Sequence, residues 1–141
     1  MHKDYEKNDL YNVEPENINS VFCCQKIMYM ITFNLANGDS VVKFNPDEAE
    51  QKTYKDICER LKATGKFVKV GLYLINLANI QDIRIEESDD SVIVRYKNST
   101  SDYGIISCKD RCEANKVYKY LTEQFNNYKT QTINTEQIIS K

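Results

Sequence analysis

Five cysteines and one histidine are the residues of this chain whose types could hold a metal or attack a substrate. Cys23 and Cys24 are adjacent, Cys58 stands alone, and Cys108 and Cys112 are four apart, which on a helix puts both thiols on one face. A structural zinc site takes four ligands, usually from paired C-x-x-C knuckles or histidines, and the only histidine, His2, lies at the start of the chain. The same shortage removes a cysteine nucleophile, which needs a histidine base held by a third group. An odd count with an adjacent pair is also a poor disulfide framework, so the cysteines are expected as free thiols. Glu86, Glu87, Asp89 and Asp90 could in principle do acid–base chemistry, but consecutive acids in a turn are solvated and do not converge on a cleft. The expectation is a protein that is not an enzyme, with no metal and no cofactor.

The basic residues offer binding instead. A net charge of −2 and a pI near 5.5 give no global attraction to nucleic acid, so any such contact needs a local patch. From Gly104 onward there are six lysines and arginines against four acids, and Lys109, Arg111, Lys116 and Lys119 concentrate them, interrupted by Asp110 and Glu113. Duplex DNA is held by several such cations facing its phosphates. Ten tyrosines and no tryptophan add a second signal, because tyrosine is enriched at contact surfaces; Tyr96, Tyr103, Tyr118 and Tyr120 fall in the late segments. The candidate contact residues for a macromolecular partner, protein or duplex DNA, are Lys69, Lys109, Arg111, Lys116, Lys119 and Tyr103.

A chain of 141 residues suits one domain. Residues 1–25 mix acids, asparagines and Pro15 with few apolar positions and read as a flexible or loosely docked arm; 26–129 read as a single α+β domain and 130–141 as a tail. From Ile27, apolar alternation through Tyr29, Ile31, Phe33 and Leu35 predicts a strand. Asn37-Gly38 predicts a type I′ turn pairing Phe33 with Val42 and Ile31 with Phe44. Asn45 as N-cap, Pro46 at the first position and Glu48 completing a capping box predict a helix to about Thr64, with Tyr54, Ile57, Cys58 and Leu61 as its buried stripe and Gly65 as its stop. Residues 66–77 are too continuously apolar for a two-faced strand, and Gly71 marks a bulge or tight bend. Strands around Ile80 to Ile85, Val92 to Tyr96 and Tyr103 to Ile106 predict an antiparallel meander. Ser107 with Asp110 gives a second capping signal before a helix that buries Ala114, Val117, Tyr118, Leu121, Phe125 and Tyr128. The fold class is α+β: an antiparallel, β-rich single domain with one helix inserted after the first hairpin and a C-terminal amphipathic helix.

A helix ending in Leu61, a short turn, then Phe67-Val68-Lys69-Val70, an apolar run through Leu74, Ile75-Asn76 and finally Ile80 resembles the middle of the LytTR family of DNA-binding domains. Ser107, Lys109 and Arg111 fall where that family has a later serine and basic residues, so the similar span runs from about Ile27 to Leu121. The resemblance implies a β-rich fold that places loops in successive grooves of duplex DNA. Just after the phenylalanine strand the family carries a histidine, an arginine and a serine that contact or support DNA; here stand Gly71, Leu72 and Tyr73, one residue shorter.

The longest apolar runs are far short of the roughly 20 residues that span a bilayer, and the N-terminal stretch has no apolar core of a secretory signal. No membrane insertion and a cytoplasmic location are expected. Two functions stand side by side: a LytTR-like DNA-binding regulator, and a protein-interaction or inhibitor module of pleckstrin-homology-like plan. Self-association through an exposed strand stays open beside them.

Overall fold

The computed structural model describes residues 13–24, 29–97 and 103–139, with 103 and 132–139 described by backbone alone. It is an α+β domain with two antiparallel sheets and two α-helices. The first sheet is built from β1 (Ile18–Cys24), β2 (Met30–Leu35), β3 (Ser40–Phe44), β4 (Phe67–Val70) and β5 (Tyr73–Asn76), in the order β3-β2-β1-β5-β4. The second is a meander of β6 (Ile80–Glu86), β7 (Ser91–Tyr96) and β8 (Tyr103–Ser107). Helix α1 (Glu48–Ala63) follows the first hairpin, and α2 (Arg111–Ile139) follows β8.

The five-stranded sheet is covered differently on its two faces. On one, Val21, Ile31, Phe33, Phe67 and Leu74 pack under the Tyr54, Ile57 and Leu61 stripe of α1. On the other, Val68, Val70 and Ile75 meet Ile80, Val92 and Val94 of the second sheet and Ala114 and Leu121 of α2. This double covering explains why residues 66–77 read as a continuous apolar run: β4 and β5 alternate between two cores. Gly71, at φ +57, opens the two-residue link between Val70 and Tyr73, so the predicted bend is a tight hairpin turn.

Several expectations are corrected. Residues 18–24 were expected in an arm; they form the central strand of the first sheet, paired with β2 on one side and β5 on the other. A bulge between Ile18 and Ser20 lets Ile18 and Val21, an odd number of residues apart, both face α1. Residues 1–12 and 25–28, with the rest of the predicted arm and the start of the predicted first strand, lie outside the described residues. The expected tail is helical through Ile139, because α2 continues past its packed stripe without a break.

The first hairpin differs by one residue in register: Phe33 faces Val41, and Met30 faces Phe44. Gly38 alone takes a positive φ, +93, and its N–H donates to the Leu35 carbonyl while Leu35 N–H donates to Asp39. That is a three-residue loop with glycine at its left-handed position, which adds a residue relative to a type I′ turn and turns Val42 and Phe44 to the face away from α1. Asn45 sits in the left-handed region at φ +48 and precedes the helix. Asp47 is the cap, accepting from Glu50 N–H at 2.8 Å, and the Glu50 carboxylate closes the capping box by accepting from Asp47 N–H. Asp110, in place of Ser107, caps α2 by accepting from Glu113 N–H at 2.8 Å.

Three buried asparagines join the sheets. Asn76 donates to the Pro15 and Ile18 carbonyls at 3.3 and 2.9 Å and accepts from Ala78 N–H at 3.0 Å. Asn79 donates to the Glu16 carbonyl at 2.8 Å and to the Asn19 side chain at 3.0 Å. Replacing Asn76 with alanine removes three hydrogen bonds at this junction, the one to the Ile18 carbonyl fully buried, so Asn76→Ala is expected to lower stability by about 2–3 kcal/mol, read as a reduced urea midpoint at unchanged slope.

Candidate functional site

The face opposite α1 is uncovered at its β3 end. Val42 and Phe44 are 42% and 56% exposed there, although both belong to a strand. Thr32, the cross-strand partner of Val42, lines a groove of about 220 Å³ running between the two sheets toward Gly104 and Ile105, and Ile105 is itself 43% exposed. The groove is firmly built. Asn34 donates to Ser20 Oγ at 3.0 Å, the Phe22 and Tyr73 rings stand 4.7 Å apart, and the Tyr73 hydroxyl donates to the Ile105 carbonyl at 3.0 Å. A Cβ on Gly104 would meet the Tyr96 hydroxyl at 3.5 Å, ordinary contact, so this glycine is not demanded by crowding. Burial raises the Tyr96 and Tyr73 phenols above their ordinary values, which keeps both as neutral hydrogen-bonding groups.

The edges of the sheets are not equivalent. β4 has four residues and lies between the two cores, and β6 packs against α2. β8 has one carbonyl already engaged by Tyr73. β3 is five residues long, has no strand beyond it among the described residues, and carries the exposed apolar pair. Its interior neighbour Lys43 is anchored to Glu50 of α1 at 3.1 Å, a contact that raises the lysine's pKa and points it to the α1 face.

A second, larger cavity lies on the α1 face. It measures about 630 Å³, with Val21, Ile31, Tyr54 and Leu74 at its floor and Cys23 and Cys58 beside them. Burial first, then the neighbouring Cys23, pushes the Cys58 thiol up to about 11, while Lys62 and Lys69 act in the opposite sense. Lys52, Lys55 and Lys62 of α1 and Lys69 of β4 also line it.

The sequence-predicted contact residues do not converge. Lys69 points to the α1 face, since Phe67 two residues before it belongs to that core, whereas Val68 and Val70 face α2. Arg111 is taken up by acids of the β6–β7 turn: its Nε lies 3.1 Å from Asp90 and its Nη2 donates to the Glu87 carbonyl at 2.7 Å. Lys109, Lys116 and Lys119 are exposed and have no ion pair among the described residues. The side chain of Tyr103 lies outside the described residues. Missed by sequence reasoning were Val42 and Phe44 as exposed residues, because the type I′ register put them in the core, and the cleft beside α1, because Lys52, Lys55 and Lys62 on a helix flank carry no local signal that a strand lysine faces them.

All five cysteines are free thiols, and among the described residues no three of His, Cys, Asp and Glu are placed to share a metal ion. No described helix is long and apolar enough to cross a membrane. No family model, curated protein or solved structure matches this chain.

The thiols give a direct check of the cleft. Iodoacetamide at about pH 8 should modify exposed Cys112 first and Cys58 far more slowly, because the thiolate is the nucleophile and Cys58 resists forming it. The unfolded thiol ionises near 9.0 and the folded one near 11, so the stability tied to Cys58 is complete below pH 9 and is lost as pH rises toward 11. Urea midpoints measured across that range should fall less steeply for Cys58→Ala than for the wild type; equal slopes would assign the loss elsewhere.

Proposed function

We propose that this protein is a non-enzymatic regulatory binding module whose partner is a protein, docked at the free edge of β3. The observation that carries it is the exposure of Val42 and Phe44 on β3, the last strand of its sheet among the described residues, beside the groove that ends at Ile105. An extended segment added beside Ser40–Phe44 would gain main-chain hydrogen bonds from the ladder and seat alternate side chains against that apolar pair. Natural proteins usually blunt such edges with charge or proline, and here the one lysine of the strand is drawn to the opposite face by Glu50. A partner strand is therefore the occupant that this edge fits.

Duplex DNA is the second reading, favoured by Lys109 just before α2 and Lys116 and Lys119 along it, none in an ion pair among the described residues, and by the LytTR resemblance at Lys109. Weighing against it are the engagement of Arg111 by Asp90 and Glu87, the placement of Lys69 on the far face, and Gly71 and Leu72 where the family has side chains that reach DNA.

Two variant sets separate the readings. Val42→Lys with Phe44→Lys should abolish capture of a protein crosslinked through a photoreactive residue at position 40, on the same face of β3, with little change in fold. Lys109→Ala, Lys116→Ala and Lys119→Ala should leave that capture intact, and the wild type should bind duplex DNA weakly at about 50 mM salt. Tight duplex binding that falls steeply toward about 200 mM salt, is lost in the lysine variant and survives in the strand variant would replace the protein reading with the DNA one. Should the crosslinked species be a second copy of the chain, sedimentation will show a dimer that the strand variant lacks.

A further inference from the structure

We propose that the cleft between α1 and the β1, β5 and β4 strands binds a single-chain amphiphile with one anionic head, its apolar tail on the sheet and its head among the lysines. The site is independent of the β3 edge, being on the opposite face of the sheet.

Size comes first. About 630 Å³ falls within the roughly 300–1,000 Å³ typical of pockets for small organic ligands. Its lining is apolar: Val21, Ile31, Tyr54 and Leu74 close the base, half-buried Cys23, Cys58 and Tyr73 give the surface above them, and exposed Leu72 stands at the mouth. Burial of the floor also raises the Tyr54 phenol, so the hydroxyl stays neutral and adds no competing negative charge. An apolar chain lying there would exchange water for the side chains of both the sheet and the helix.

The rim has the opposite character. Lys52, Lys55 and Lys62 recur on one flank of α1, and Lys69 rises from β4 on the other wall, so the cations approach the opening from two elements. Lys62 is held by Glu59 at 3.4 Å. Lys52, Lys55 and Lys69 have no ion pair among the described residues, and Glu48 and Glu59 are the acids in the lining. Lysine stems can lie along apolar surface while their ammonium groups stay at the water boundary, which sets a positive collar above an apolar trough. A neutral lipid would leave the collar unused. A polyanion would find too few cations and no use for the floor. One anionic head on one hydrocarbon chain matches both parts; a fatty carboxylate and an alkyl phosphate share that chemistry.

Cys23 and Cys58 lie inside the cleft and Cys112 is exposed outside it, so alkylation mapped by mass spectrometry reports occupancy with an internal control. Dodecanoate, dodecyl phosphate and dodecanol, each below its micelle concentration, are the probes, with acetate as the head alone. At least one of the two anions should slow modification of Cys23 and Cys58 about fivefold or more and leave Cys112 unchanged, whereas dodecanol and acetate should protect little. Which anion protects better identifies the head. Lys55→Gln with Lys69→Gln, both surface changes that spare the floor, should weaken the anion's apparent affinity about tenfold without altering the response to dodecanol. Protection by dodecanol equal to that by the anions, or insensitivity to the lysine changes, would overturn the anionic head. Absence of protection by any of the three chains would overturn the site. Val42→Lys with Phe44→Lys should leave all of these results unchanged, which keeps failure of this site distinct from failure of the β3 edge.

Discussion

The two sheets hold their relation through Asn76 and its neighbours. Asn76 is fully buried, so its amide can be tolerated only if its polar atoms find partners, and it finds them in the carbonyls of residues 15 and 18 and the N–H of residue 78. Asn79 and Asn19 extend the same network, and Leu77 N–H donates to the Lys66 carbonyl ahead of β4. The place where the chain leaves one sheet and enters the next is thereby tied to the entry of β1. That tie fixes the start of the β5–β6 junction, and the packing of Val68, Val70 and Ile75 on Ile80, Val92 and Val94 sets the rest of the relation between the sheets. This is also the asparagine that carries part of the LytTR resemblance, and its position makes it a structural residue that cannot reach a ligand at the surface.

Because β1 lies at the centre of the first sheet, its bulge controls what each face presents. Ile18 and Val21 both reach the α1 core, Phe22 turns to the Tyr73 ring, and Cys23 returns to the cleft. The three-residue loop at Gly38 does the same for β3. It places Val41 and Lys43 toward α1, and Val42 and Phe44 toward open surface. A single residue of register therefore decides whether this edge is a covered strand end or an apolar contact surface, since side chains alternate with a period of two.

The elements with strong periodicity were legible in the sequence. Tyr54, Ile57 and Leu61, and likewise Ala114, Val117, Leu121 and Phe125, sit on helix faces whose spacing can be read directly, and the meander follows its alternation. The central strand was not legible, because its sequence, Ile18-Asn19-Ser20, looks like coil. Its polar residues are buried only because distant residues satisfy them, and long-range partners leave no local pattern. The register of the hairpin was lost for a related reason: Asn-Gly fits both the two-residue and the three-residue loop, and only the chain's own ladder chooses between them. At the candidate site, the lysines could be counted but not placed. Lys69 and Arg111 look like members of one basic set until the pleat sends the first to the α1 face and the turn acids claim the second.

The strands β1 and β2 separate two surfaces of unlike chemistry. Ile31 and Cys23 face the lysine-rimmed cleft, while Thr32 and Phe22, each one residue away, face the groove that leads to Val42. The pleat makes the two surfaces structurally contiguous, yet contiguity alone couples nothing. A ligand in the cleft would change docking at the β3 edge only by favouring one of two arrangements of that edge, and its influence could not exceed its difference in affinity for the two. The Lys43 to Glu50 bridge is the one direct link between α1 and β3 among the described ion pairs. Both groups are partly exposed, and water and salt screen such a pair, so any communication across the sheet has to be carried mainly by the packing of α1 on Ile31 and Phe33.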